Sequence, residues 1–411
     1  MNDQLSGQLD LGRLFDVSTA QGLVESLNLR GAATAHDENA ICATIGSLRF
    51  NDDELVSTAQ KFGPAAGFLS AWKSHGVNAV SQVRGAYALA IVDASRKSVF
   101  LAVDRFAVQT LCYCLDGQEL SFSDRADCVE GRGNELDAQA IFDYLFFHMI
   151  PAPRTIFRKV RRLPAGHGLL IDESGVREIR HWPLTFDEQH REPFPVARNT
   201  FRKLIRDSVV EEVSGHKRVG AFLSGGTDSS TVAGMLCEVT GAPAPSYSIG
   251  FEAEGYDEMG YARLAARHFG CEHHEYYVTP ADLVASIPAV AQHYDQPFGN
   301  SSALPAYYCA KMAKADGCTK MLAGDGGDEL FGGNSRYATQ RMFEFYHGVP
   351  RAIRRMIEPM CGDDSLVRRI PGLRQAAGYV RHSRVEMPDR LQSFNLIMRL
   401  DPATVLTADF L

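Results

Sequence analysis

Six residues carry the strongest chemical signal in the chain: Ser224-Gly225-Gly226-Thr227-Asp228-Ser229. They stand between an apolar run and a helix-like stretch. Adjacent glycines let a backbone turn tightly and approach an anion. Successive N–H groups and the start of the following helix supply positive potential, and Ser224 and Ser229 add hydroxyl donors. The spacing predicts a phosphate cradle. No lysine follows as in the G-x-x-x-x-G-K-[ST] type, so the loop suits binding of a pyrophosphate group better than transfer of a γ-phosphoryl group. A bare Asp228 carboxylate would repel phosphate, and a magnesium ion bridging Asp228 to phosphate oxygens resolves that conflict. The blander reading is a Gly-Gly turn with Asp228 and Ser229 capping a helix.

A second loop runs Leu322-Ala323-Gly324-Asp325-Gly326-Gly327-Asp328-Glu329-Leu330-Phe331-Gly332-Gly333. Three acids among five glycines make a poor structural turn, because clustered carboxylates need a counter-ion. Asp328 is the natural second magnesium ligand. A solvated acidic loop is the alternative.

The elements that must position both loops read as a strand–helix alternation. Strands are expected over 218–223, 246–250, 273–278 and 319–323, and helices over 196–213, 229–240, 257–269, 281–293 and 302–316. Strands separated by helices of this length imply a parallel sheet with helices on its faces. Ligands of such sheets sit at the carboxyl ends of the strands, where both loops fall. The chain before about residue 182 reads as β-rich: one strand over 84–93, its partner over 98–103, and hairpins over 111–123 and 168–181. A helix over 137–147 is expected to share one face among Ile141, Tyr144, Leu145 and His148. Three prolines among polar residues mark a linker over 183–195. Residues 336–411 read as arginine-rich amphipathic helices with a solvated basic face.

Length and charge fit this division. At roughly 100–200 residues per domain, 411 residues make two domains. A net charge of −8, from 42 basic against 50 acidic residues, argues against nucleic acid as the main partner. The longest apolar stretch, about eight residues, is too short for a membrane span. The first residues resemble no secretion signal, and nine scattered cysteines form no disulfide framework. Reduced thiols and a cytoplasmic location are expected. His268, His273 and His274 lie near Cys271 without a zinc-site spacing, so strand or surface histidines are the better reading. Cys112 and Cys114 point the same way on a strand, and core thiols are expected there.

Ser-Gly-Gly-x-Asp-Ser resembles the pyrophosphate loop of the ATP pyrophosphatases. Gly-Asp-Gly-Gly-Asp-Glu-Leu-Phe-Gly-Gly narrows the resemblance to the asparagine synthetase superfamily, which includes β-lactam synthetase-like and lasso-peptide cyclase-like members. Tyr256-Asp257-Glu258, His273-His274-Glu275, Asp295-Gln296-Pro297-Phe298 and Ser301-Ser302 are similar to family landmarks in the same order. Upstream, Arg84-Gly85-Ala86-Tyr87, Asp104-Arg105-Phe106, Pro151-Ala152-Pro153-Arg154, Leu163-Pro164-Ala165-Gly166-His167 and Arg180-His181-Trp182 resemble the family's glutaminase-like domain.

The resemblance implies an N-terminal-nucleophile-type β-rich sandwich over 1–182. An α/β ATP-pyrophosphatase domain with a parallel sheet follows over 196–411. It implies ATP and Mg2+ as cofactors, adenylation of a small-molecule or peptide carboxylate, release of pyrophosphate, and amide formation as an amine or ammonia displaces AMP. By position, Leu223 and Ile249 would contact adenine. Ser224, Gly225, Gly226, Asp228 and Ser229 would hold phosphates, Ala323 and Gly324 would lie beside the nucleotide, and Asp228 and Asp328 would bind magnesium. Asp228, Asp328 and Ser224 would be the catalytic set.

Two departures follow. Glutaminases of this family use an N-terminal cysteine, whereas residue 2 is Asn2 and the first cysteine is Cys42, inside a strand-like segment. Asn-Gly and Arg-Gly-Pro, which resemble no segment here, serve glutamine recognition in the family. The expectation is a degenerate domain without glutaminase chemistry, as in members that form amide bonds within one substrate. The family's later helices, which carry a catalytic lysine, are also expected to be missing, so the C-terminal domain reads as incomplete. A partner chain supplying that part, a homodimer, and a non-catalytic nucleotide-binding subunit stay open.

Overall fold

The computed structural model describes residues 4–16, 29–185, 192–251, 258–300, 302–331, 333 and 349–357. Part of the expected linker and most of the arginine-rich tail therefore lie outside the described residues. The chain divides into two compact units, the first running to Asp325 and the second beginning at Gly326. No helix among the described residues is long and apolar enough to cross a membrane.

The N-terminal part of the first unit contains two antiparallel sheets. One has six strands, ordered Gly175–Arg180, His167–Asp172, Ser98–Val103, Tyr87–Asp93, Ala40–Gly46 and Ala33–His36. The other orders Ser6–Asp10, Glu119–Ser123, Cys112–Asp116 and Arg161–Arg162. Successive side chains on a strand face opposite ways, and both faces of the central strands are covered. Ala88, Ala90 and Val92 pack towards Leu9, Leu120 and Phe122 of the smaller sheet. Leu89 and Ile91 pack towards Phe68, Leu69 and Trp72 of the helix Pro64–His75. Two-sided burial explains why residues 87–92 are uninterruptedly apolar and aromatic.

Three sequence expectations change here. The helices Asp53–Phe62 and Pro64–His75 fill a stretch read only as β-rich. The expected strand over 84–93 is two strands, because Gly85 sits at φ +103° and a Cβ there would lie 2.0 Å from the Ser47 carbonyl oxygen. Val83–Arg84 instead pairs with Arg49–Phe50. The helix Ala138–Phe147 turns only part of the expected face inward: Tyr144 packs with Ala140, Ile150 and Ile156, while Ile141 and Leu145 are exposed. Asp143 is buried on that same side and accepts a hydrogen bond from Gln139 (2.7 Å). Cys112 and Cys114 pack together with Ala126, Val129 and Val160.

The rest of the first unit is a four-stranded parallel sheet ordered Glu272–Val278, Pro245–Phe251, Val219–Phe222 and Lys320–Leu322. The helices Thr227–Thr240, Met259–Phe269, Pro280–His293 and Ala303–Ala315 connect its strands, and Phe194–Val213 precedes them. Val219, Ala221, Leu236, Met259, Ala262 and Leu322 form its core. The expected α/β sheet is present, with boundaries shifted by at most two residues.

Side chains from the sandwich reach into this α/β part. Arg162 meets both carboxylate oxygens of Asp295 at 2.9 Å, with both side chains nearly buried. Asp295 also accepts the Ala126 N–H (2.6 Å), and Gln296 accepts the Ile156 N–H (3.1 Å). Arg125 donates to the carbonyl of His293 (2.6 Å). On another side, Arg49 reaches Glu211 (3.2 Å) and Glu212 (2.6 Å), and Arg84 and Lys320 join the same acids.

Candidate functional site

The loop 223–229 leaves the carboxyl end of the central strand Val219–Phe222 and enters the helix Thr227–Thr240. Leu223 anchors it. Its side chain is 1% exposed in the core, its N–H donates to Tyr247 (3.0 Å), and its carbonyl accepts the Ser248 hydroxyl. Ser224 then turns outward and is exposed. Gly225 adopts φ +86°, and a Cβ there would stand 2.4 Å from the Ala262 nitrogen and the Tyr261 carbonyl carbon. The loop is thus pressed onto the first turn of the helix Met259–Phe269, and only glycine fits.

The two serines are tied together. Their Oγ atoms lie 2.9 Å apart, and the Ser224 N–H donates to Ser229 Oγ (3.2 Å). The Gly226 N–H donates to Ser224 Oγ (3.3 Å). Gly226 is the N-cap of the helix Thr227–Thr240, and no side chain caps that end. Its first-turn N–H groups are thus left to an outside acceptor, beside the positive end of a 14-residue helix dipole. The alternative turn reading, in which Asp228 or Ser229 caps the helix, is not what the hydrogen bonds show.

Gly324 closes the other side. It follows the strand Lys320–Leu322 and Ala323, and a Cβ on it would lie 2.6 Å from the Ser229 nitrogen and 2.9 Å from the Asp228 Cβ. Leu223, Ser224, Gly225, Gly226, Asp228, Ser229, Ala323 and Gly324 are therefore gathered at one edge of the sheet. Ile249 lies on the adjacent strand, partly buried with Phe222 against Tyr247. Asp328 belongs to the second unit, in the short helix Gly327–Phe331, where Glu329 is buried. A Cβ on Gly333 would fall 2.0 Å from Asp328 Oδ1, so that glycine is packed onto the carboxylate.

This geometry fits a polyphosphate. The cradle offers backbone N–H groups and two hydroxyls, and a methyl group at Gly324 would intrude on its floor. Magnesium ordinarily keeps several waters and takes one or two carboxylates plus substrate phosphates, and the Asp228 carboxylate in the first turn of the helix beside the cradle is of the right chemistry for it. Among the described residues no group of three or more His, Cys, Asp or Glu side chains could hold a metal by itself. His273 pairs with the Ser246 hydroxyl (3.0 Å), and burial pushes its pKa down. His274 stacks on Tyr247 at 4.9 Å.

The sequence reading missed Tyr261–Ala262 as the backing of the loop and Ser248 as the tie on Leu223. Nothing local marks them, since both act through contacts across strands and helices.

The first cysteine of the sequence is elsewhere and closed in. Cys42 lies on the strand Ala40–Gly46, 0% exposed among Phe68, Leu89 and Phe100. Burial pushes its thiol far above the usual range, so it carries no thiolate at neutral pH. Asn2 lies outside the described residues.

Residues 200–409 match the Asparagine synthase family and residues 62–182 the Glutamine amidotransferase domain. The chain is 31% identical over 294 residues to a Methanocaldococcus jannaschii protein carrying the provisional name of glutamine-hydrolysing asparagine synthetase 2, covering 70% of this chain and 56% of that one. It is 28% identical over 295 residues to glutamine-hydrolysing asparagine synthetase 1 of Bacillus subtilis, covering 70% and 46%. It is 25% identical over 365 residues to the amidase chyE of Penicillium rubens, covering 79% and 52%. The chain thus spans about half the length of the curated relatives it matches.

Proposed function

Because this chain belongs to the asparagine synthase family, we propose that it is an ATP- and magnesium-dependent, AMP-forming ligase. In this reading it adenylates a carboxylate and joins it to an amine or ammonia. The observation that carries the proposal is the open cradle at 224–229, backed by Tyr261–Ala262 and floored by Gly324.

Ser224, Gly225, Gly226, Asp228 and Ser229 hold the phosphates, Ala323 and Gly324 lie beside the nucleotide, and Leu223 and Ile249 border the adenine. Preorganised N–H groups aimed at the pyrophosphate stabilise charge where it develops, with no reorganisation during the reaction. Magnesium, when bound, neutralises that charge further, and Asp228 and Asp328 are the carboxylates assigned to it. Ser224, tied to Ser229, presents its hydroxyl on the cradle side.

The sandwich, assigned to 1–182 before a linker over 183–195 and the ligase domain from 196, carries no glutaminase chemistry in this proposal. The burial of Cys42 supports that, since a nucleophile must reach glutamine. The amine then comes from free ammonia or from the substrate itself, and the second source makes the protein a specialised intramolecular amide synthetase. The substrate is a small-molecule or peptide carboxylate and the setting the cytoplasm.

Carboxylate-dependent exchange of pyrophosphate into ATP tests the ligase. Exchange by the native protein that is lost in Asp228→Ala supports it. Equal exchange by both proteins removes Asp228 from the site. ATP binding with no exchange for any carboxylate favours a non-catalytic nucleotide-binding subunit. Release of glutamate from glutamine would overturn the inactive sandwich.

A further inference from the structure

Behind the cradle, two thiols touch. Cys237 lies on the helix Thr227–Thr240, whose start is the cradle, and Cys271 follows Gly270, which ends the helix Met259–Phe269. Their Sγ atoms are 3.6 Å apart, and neither is fully buried. The approach is built into the packing of the two helices. Gly234, one turn before Cys237, leaves room for Phe269: a Cβ on Gly234 would lie 2.5 Å from that ring. The Ala244 N–H donates to Cys237 Sγ (3.4 Å), which fixes the sulfur facing Cys271. Both thiols pack at the edge of the same core.

We propose that Cys237 and Cys271 form a reversible disulfide, a covalent modification site that takes a low-molecular-weight disulfide such as glutathione disulfide as its oxidant. Closing from 3.6 Å to a bond of about 2.0 Å needs side-chain rotation and a small approach of the chains. The Cys237 thiolate attacks one glutathione sulfur, forming a mixed disulfide and expelling one glutathione thiolate, which takes up a proton. The Cys271 thiol then gives up its proton and attacks Cys237 Sγ, expelling the second glutathione. Two protein thiols are oxidised and one glutathione disulfide is reduced to two glutathiones.

Burial, and secondarily the neighbouring sulfur, push the Cys271 thiol up to about 12. A raised thiol pKa lowers the thiolate fraction available for the second step. Gly225 leans on the first turn of one helix and the cradle opens into the other, so the bridge ties together the two helices that frame the loop.

The test uses the full chain treated with glutathione disulfide, then alkylation and peptide mapping. Expected are one intramolecular Cys237–Cys271 disulfide, a mass lower by two hydrogens, a higher melting temperature, and full reversal by dithiothreitol. Cys271→Ser should stop at glutathione on Cys237. Hydrogen exchange across the helix Thr227–Thr240 should slow in the oxidised protein. Alkylation of both native thiols after treatment, a native protein that stops at the mixed disulfide, or pairing of Cys237 with another cysteine would overturn the proposal. None of these readouts depends on nucleotide or on ligase activity.

Discussion

Cys42 and the loop 224–229 have opposite surroundings. Cys42 sits mid-strand in a sheet covered on both faces, fully buried within the core. The loop lies past the end of a strand, with Ser224 and Gly226 exposed and the helix behind it uncapped. The same chain has spent apolar packing on the first place and backbone dipoles on the second. Reactivity follows the backbone's openings, not the intrinsic chemistry of the side chain: a thiol is silent when enclosed, and a Gly-Gly turn is eloquent at a sheet edge.

The largest expected effect asks whether the closed half braces the open one. Arg162→Ala leaves Asp295 buried without its guanidinium, and breaking such a pair costs about 3–5 kcal/mol. Chemical denaturation should register that loss; an unchanged midpoint would make the two halves energetically separate. Next comes the cradle itself. Gly324→Ala sets a methyl carbon 2.6 Å from the Ser229 nitrogen, and relieving it should cost about 1–3 kcal/mol. Stabilisation of the melting point by Mg-ATP should vanish in this variant, and its persistence would remove Gly324 from the floor of the site.

Cys42→Ala should be milder. Replacing an enclosed thiol with a methyl group leaves a small void worth about 1 kcal/mol, with carboxylate-dependent exchange unaltered. A variant that lost exchange while keeping its melting point would give Cys42 a chemical role and erase the contrast. The smallest effect is on pH. Burial pushes the His181 pKa below its usual value, so the unfolded chain binds more protons as pH falls through the ordinary histidine range. Stability should therefore decline on acidification from pH 7 towards 5. His181→Gln should flatten that decline in a denaturation series.

The cradle was legible because it is local: two glycines, two serines and an aspartate, all within six residues, with a strand before and a helix after. The parallel sheet was legible because its strands and helices alternate at regular spacing. The helices Asp53–Phe62 and Pro64–His75 were overlooked although their start is written locally, Asp52 accepting hydrogen bonds from the Glu54 and Leu55 N–H groups. The exposure of Ile141 and Leu145 on the helix Ala138–Phe147 has a tertiary cause. Ile141 and Leu145 are the more apolar choice, but Ile150 and Ile156 pack against Ala140 instead. Arg162 and Asp295 are 133 residues apart in sequence, and no spacing rule links such positions.

Arg125 invites one last reflection. Its guanidinium lies at the carbonyls of Gln292, His293 and Tyr294, where the helix Pro280–His293 runs out. A helix normally finishes with groups drawn from its own neighbourhood; this one has its own Tyr294 N–H on the Val290 carbonyl and adds a donor from 168 residues earlier in the chain. A substitution at Arg125 would therefore be felt at the end of a helix that the sequence places far downstream.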